Sequence, residues 1–503
     1  LFFNNGSKAA EKINIKFEGM KIPLSIEQLS KLEKYKNDST ELVDWLKNNG
    51  FIKVFELSKV LEFPVFKEEG LNREILRSWI GRKILTELSK TITVPNDNNG
   101  IEIYNTIENL LDDKKEVSTL DIIKELPSEE ITLDIDNLIL IISSWKNELA
   151  IQQNLISKLN NLEKINIETF KNIENRNTSD LIKTNKKIYS PHRVKPFEIE
   201  LWKSNKINED KELIIFMPGF GGEINNFKWI GNELTKRGWP IVFIDHKGSN
   251  LKAFTEVIEG GESIPGSLDF FLYRIKDLDA VLNAHRNGEF GLPNNSYILM
   301  GHSLGALIAL LYEGNKPTDQ LEERCDSALE DFALTNLSKL LQCQLSEIPF
   351  SEKNNDNNAS AIIGFNPFGS LIWPKENSSG IKIPTLFIGG TYDLITPLMN
   401  EQFIVFNALK NPSNRFLIIE GASHFSPIRI NNSFKENNDI FKISESFIGS
   451  DPILVQDLSS KFIINFIENL EYQNIPSIIK NQTEMGLDFH LLDIKTIKEL
   501  SKN

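Results

Sequence analysis

One stretch constrains this chain more than any other. Tyr297-Ile298-Leu299-Met300, an apolar strand pattern, runs through Gly301-His302-Ser303-Leu304-Gly305 into the helix-forming run Ala306 to Tyr312, with no room for a loop between them. A turn that sharp forces its central residue, Ser303, into a strained backbone conformation. Any side chain two positions to either side would meet neighbouring backbone. Glycines at 301 and 305 meet that demand. The pattern predicts that Ser303 Oγ stands above the sheet edge, beside the unpaired N–H groups and positive dipole end of the following helix. A plain glycine-rich turn can carry the same five letters, so the flanking strand, the flanking helix and residues further along must carry the reading.

A serine hydroxyl becomes a nucleophile only with a base, and the base needs an orienting acid. After a turn of this kind the acid and then the histidine are expected downstream, each just past a strand. Ile383 to Gly390 reads as a buried strand that releases Thr391-Tyr392-Asp393, and Arg415 to Glu420 reads as another, ending in Gly421-Ala422-Ser423-His424. Asp393 and His424 are therefore the candidate acid and base, with Glu420 as the reserve acid. Of the six histidines, His192, His246 and His285 precede the serine, His302 is its neighbour inside the turn, and His490 has no strand pattern before it. Asp245 also ends a strand pattern but comes before the serine. For an oxyanion, the expected donors are the N–H of Leu304 and that of Phe220, in the loop Pro218-Gly219-Phe220-Gly221-Gly222 after the strand Leu213 to Met217.

Residues from about 185 to 475 resemble the platelet-activating-factor acetylhydrolase-like branch of the α/β hydrolases, on the strength of four segments. These are the Pro-Gly-Phe-Gly-Gly loop, Asp245-His246-Lys247-Gly248-Ser249-Asn250, the Gly-His-Ser-Leu-Gly turn, and Gly421-Ala422-Ser423-His424-Phe425. The whole chain is similar to cyanobacterial hydrolases that carry an uncharacterised helical domain ahead of that fold. That branch usually has His-Gly in the first loop, where this chain has Pro218-Gly219; a polar side chain is lost but the backbone donor at Phe220 remains. The resemblance implies lipid-like esters with short acyl groups. No residue marks a choline or phosphate site, and the expectation is an ester hydrolase without metal or organic cofactor, acyl transfer or a silent partner-binding scaffold being the alternatives.

A chain of 503 residues is too long for one ordinary core, so two domains are expected. Residues 10–165 read as an all-helical accessory domain, from capping-box patterns at Ser25 to Gln28 and Asp38 to Glu41 and apolar stripes over 71–92 and 136–159. Residues 166–187 read as a linker. Residues 188–503 alternate strands and helices, which predicts a mostly parallel, doubly wound sheet. An insertion at 314–360 carries an apolar stripe (Leu329, Phe332, Ala333, Leu337, Leu340, Leu341) and is expected to be either core or a lid over an acyl pocket. The net charge of −14 disfavours nucleic acid and anionic lipid surfaces, and no transmembrane run is evident. Leu1-Phe2-Phe3 and Ser7-Lys8-Ala9 fit the tail of a signal peptide, which leaves export and a cytoplasmic location both open. Were the protein exported, its two cysteines, Cys325 and Cys343, should be bridged.

Overall fold

The computed structural model describes residues 12–17, 20–25, 64–67, most of 85–162, 181–205, 211–250, most of 269–330, 336–348, 358–428, 450–470 and most of 481–501. The chain divides into two compact units, with the boundary between Trp145 and Lys146, inside the helix Ile135–Asn160.

The first unit is not all-helical. Its described residues include β1 (Lys12–Phe17), β2 (Met20–Ser25), β3 (Pro64–Lys67), β4 (Ile92–Thr93), β5 (Glu116–Ser118) and β6 (Glu130–Asp134), along with the helices Ile101–Asp113 and Thr119–Glu125. β1 alternates polar and apolar residues, and that period of two puts Ile13 and Ile15 into the core. Four strands form a sheet in the order β2-β1-β6-β4, with β1 and β6 parallel and Lys16 Nζ 2.8 Å from Asp134 across that pair. Ser25 ends β2 instead of capping a helix, and the Asp38–Glu41 pattern lies outside the described residues. The helix at 119 does have a capping box: the Asp121 N–H donates to Ser118 Oγ, and the Ser118 N–H to Asp121 Oδ2.

The second unit is built on ten strands. Residues 181–187, expected to be linker, instead belong to β7 (Leu181–Ile188), which forms a hairpin with β8 (Phe197–Ser204). Then come β9 (Leu213–Met217), β10 (Ile241–Ile244), β11 (Tyr297–His302), β12 (Ala359–Phe365), β13 (Thr385–Gly390), β14 (Arg415–Ile419), β15 (Asn481–Glu484) and β16 (Leu487–Asp493). Their order is β15-β16-β14-β13-β12-β11-β9-β10-β8-β7, the six from β14 to β10 being mutually parallel. Both faces of these six strands are covered, and β9, β10, β11, β13 and β14 are buried along their whole length. That is why they read as unbroken apolar runs. The chain leaves β9 to one side for β10 and returns on the other side for β11. Between β9 and β11 lies a topological switch point, where open α/β sheets present a crevice at their carboxyl ends.

Within the insertion, residues 336–348 are tied to the core. The Asn336 N–H donates to Leu394 O (3.0 Å) and the Ser338 N–H to Ile395 O (3.2 Å), and Leu337 and Leu341 are buried. These two leucines pack as core and present no lid face; Phe332, Ala333 and 349–357 lie outside the described residues. Cys325, on the helix Leu321–Glu330, is disulfide-bonded to Cys343 at the end of the helix Ser338–Cys343. Closing a loop of that length restricts the unfolded chain by about 3 kcal/mol. Cys343→Ser should lower the unfolding free energy by about that amount in a denaturant titration, and identical midpoints with and without reductant would contradict the bridge.

Candidate active site

Ser303 joins β11 to the helix Leu304–Glu313 with φ +52° and ψ −116°, a conformation that L residues avoid. A β-carbon on Gly301 would overlap the backbone of Gly305, and one on Gly305 would overlap the carbonyl of Met217 at the end of β9. The two glycines therefore let the helix start directly over the strand ends. The Ser303 N–H donates to Phe365 O (2.8 Å), which fixes the turn to the end of β12. Ser303 O accepts from Leu307 N–H (3.0 Å), so the N–H groups of Leu304, Gly305 and Ala306 are the first-turn donors that an α-helix leaves without an internal acceptor.

Asp393 and His424 meet. The Nδ1 of His424 lies 2.9 Å from Asp393 Oδ2, although the residues leave different strands, β13 and β14. The carboxylate is fully buried and well supplied with donors. Oδ1 accepts from the N–H groups of Ile395 (2.9 Å) and Thr396 (2.8 Å), and Oδ2 from Thr396 Oγ1 (2.6 Å) and Gln402 Nε2 (3.2 Å). Neither Thr396 nor Gln402 was singled out by sequence; a threonine three residues after an aspartate at a strand end is the local signal for such a turn. The loop that carries His424 is held by Asn366 Nδ2 on Ser423 O (3.3 Å) and by Trp229 Nε1 on Pro427 O (2.9 Å).

Ser303 is linked to this pair through its neighbour. His302 Nε2 donates to the carbonyl oxygen of His424 (2.9 Å), and the two imidazoles lie with ring centroids 4.9 Å apart. Glu420, the reserve acid, is engaged elsewhere: its Oε1 lies 2.7 Å from Nε2 of His490 on β16. Asp245 accepts from Asn250 Nδ2 (2.8 Å). His192 and His246 both face Asp277, at 2.8 and 3.0 Å, and His285 stacks on Phe290. Phe220 lies in the loop after β9, its ring 4.7 Å from that of Phe270, and a β-carbon on the preceding Gly219 would stand 3.3 Å from Ser303 Cβ. Structure thus gathers Ser303, His424, Asp393 and the Phe220 loop at one end of the sheet, beside the switch point. Among the described residues no cluster of histidine, cysteine and carboxylate side chains could hold a metal ion.

A strained serine between strand and helix, over the carboxyl ends of a mostly parallel sheet, coincides with two family matches. A family described as an alpha/beta hydrolase of unknown function matches residues 9–134, and one described as serine aminopeptidase, S33, matches residues 208–322. These matches and the mostly parallel sheet support an α/β-hydrolase fold. Similar proteins include Cutinase 2 of Thermobifida cellulosilytica, 20% identical over 42% of this chain and 60% of that protein. A cutinase of Thermobifida fusca is likewise 20% identical, over 42% of this chain and 50% of its own length. The chain spans about half the length of the curated relatives it matches.

Burial sets the charge of two histidines in this chain. His302 is pushed down from 6.5 to about 3, first by burial and then by the proximity of His424, so its ring is neutral and donates from Nε2. His246 is pushed down from 6.5 to about 4, by burial and then by the cation of Arg274, against the pull of Asp277. Each stays neutral in the folded chain where its unfolded counterpart, at 6.5, takes up a proton. The unfolded state then binds more protons, so this contribution to stability is complete above pH 6.5 and is lost as pH falls toward 4 and 3. Urea midpoints should decline steadily below pH 6.5, and His302→Gln should flatten that decline; a midpoint independent of pH across the window would contradict the assignment.

Proposed function

We propose that the protein is a serine ester hydrolase in which Ser303 is the nucleophile, His424 the base and Asp393 the orienting acid, with the N–H groups of Phe220 and Leu304 receiving the oxyanion. The observation that carries this reading is the His424–Asp393 pair, assembled from two strands at the same sheet edge as the strained serine. Asp393 takes the Nδ1–H of His424, which leaves Nε2 as the basic nitrogen.

In the proposed reaction Ser303 Oγ forms a bond to the ester carbonyl carbon while its proton passes to His424 Nε2. The negative charge that develops on the carbonyl oxygen is met by the two N–H groups and by the helix dipole. Collapse breaks the bond to the alcohol, which leaves with the proton from Nε2. Water then repeats the sequence against the acyl-serine and returns Ser303 to its starting state.

For substrate, the proposal is an uncharged ester with a short or medium acyl chain, of the lipid-like kind implied by the acetylhydrolase resemblance. Two features support it: the relatives are named cutinases, and the aromatic pair Phe220 and Phe270 flanks the oxyanion loop with apolar surface. The Cys325–Cys343 bridge suits a chain that folds in an oxidising compartment, which favours export.

Ser303→Ala should abolish labelling by a fluorophosphonate and lower turnover of p-nitrophenyl butyrate by about 10³-fold or more. Asp393→Asn should cost on the order of 10³ to 10⁴ in kcat, because an amide favours the wrong imidazole tautomer. Glu420→Gln should leave kcat close to that of the parent. A protein that cleaves an aminoacyl p-nitroanilide but no ester would overturn the substrate class.

A further inference from the structure

A buried cation sits directly behind the loop assigned to the oxyanion. Arg274, on the helix Asp269–Arg286, is 1% exposed, and each nitrogen of its guanidinium has an acceptor. Nη1 donates to Pro218 O (2.6 Å), Nη2 to Gly219 O (2.9 Å) and Ser249 O (3.2 Å), and Nε to Ser249 Oγ (2.7 Å). Burial pushes its pKa down to about 9, while Asp277 and Asp245 pull the other way, and it remains charged at neutral pH. A charge hidden so completely is costly unless it is hydrogen-bonded, and all four of its contacts converge on one loop and the segment behind it.

The surroundings fix that cation. Asp277 lies one helical turn from Arg274 and is itself fully buried. It accepts from Arg193 Nε (3.0 Å) and Nη2 (2.6 Å) and lies within hydrogen-bonding distance of His192 and His246. Although burial would raise it, the bonds from His246 and Arg193 hold the Asp277 carboxyl down to about 2. Arg193 also reaches Lys247 O (2.8 Å), and the Gly221 N–H donates to Ser249 O (2.9 Å). Helix, hairpin loop and the segment Asp245 to Asn250 thus form one block, and Arg274 is the arm that reaches from it to the loop.

We propose that Arg274 is a positioning residue of the oxyanion site, aiming and polarising the Phe220 N–H through the Gly219–Phe220 peptide. The proposal rests on the assignment of Phe220 to that site. A trans peptide is planar, so its N–H points opposite to its C=O. Gripping the Gly219 carbonyl therefore fixes the direction of the Phe220 N–H, which is away from Arg274. A cation bonded to the carbonyl also withdraws electrons across the amide and makes the N–H a stronger donor, by the cooperativity that links hydrogen bonds in series. Arg274 touches no substrate atom. Its charge acts on the oxyanion through one peptide unit, at full strength only when negative charge has developed there.

The test compares p-nitrophenyl butyrate with its thiono analogue, whose C=S sulfur is a weak hydrogen-bond acceptor, in the parent, Arg274→Lys and Ser249→Ala. A lysine keeps the charge but cannot span three carbonyls and a hydroxyl. Arg274→Lys should lower kcat for the oxo-ester about 10-fold to 100-fold with KM within about 3-fold, while the thionoester slows far less, so the oxo/thiono ratio contracts. Ser249→Ala, which removes one contact and keeps the guanidinium, should contract the ratio in the same direction to a smaller degree, and it serves should the lysine variant fail to fold. If both esters slow equally in a variant with the parent melting temperature, or neither slows, Arg274 is only structural and the proposal falls. Turnover that survives in Ser303→Ala would instead overturn the nucleophile assignment, and this proposal with it.

Discussion

The close approach of the helix Leu304–Glu313 to the ends of β9 and β11 is the constraint on which the rest of the site depends. With no side chain at Gly305, the helix starts against the Met217 carbonyl, and the backbone reaches it from β11 through a positive φ at Ser303. That path does several things at once. It turns the serine out of the sheet, directs the first-turn N–H groups of the helix toward it, and brings Gly219 alongside. A backbone torsion of this kind is stored strain, held by the ladder that β11 shares with β9 on one side and β12 on the other.

The sharp turn at Ser303 and the strand ends that carry Asp393 and His424 were legible because each is local. An apolar run, a glycine and a polar residue at a strand end sit within a few positions of one another, and the all-apolar strands of a two-sided parallel sheet stand out in composition. The strands of the first unit were misread as helix, although Lys12-Ile13-Asn14-Ile15-Lys16-Phe17 alternates in steps of two; the long stripe over 136–159 dominated that region, and the helix Ile135–Asn160 follows it faithfully. β16 was missed for a different reason. Its pattern, Leu487-Asp488-Phe489-His490, gains meaning only from pairing with β14, which brings His490 to Glu420.

Buried charge was the least legible property. Arg274 and Asp277 lie on an amphipathic helix, where charged residues read as a solvated face, and their partners come from three separate segments. Glu401 is another case. It accepts from the Gly369 and Ser370 N–H groups (both 2.7 Å), from Ser370 Oγ, and from Asn336 and Gln342 in the insertion. One carboxylate thereby holds the insertion and the turn after β12 to the element that follows Asp393, which accounts for the fixed packing of Leu337 and Leu341. A single sequence shows the acid but not its five donors.

The separation of β11 and β14 has a consequence for chain length. Two strands lie between them, so at the usual inter-strand spacing their axes are about 14 Å apart. The segment after β14 must therefore double back across the exits of β13 and β12 before its imidazole can come near the serine. Asn366, just past β12, grips that returning segment at Ser423, and His302 grips it again at His424. The stretch from Gly421 to His424 is fastened at its other end as well, where the Gly421 N–H donates to Thr391 Oγ1 (2.9 Å). Losing a single residue from it should break those contacts and draw the imidazole away from Ser303 while leaving every strand of the sheet in register.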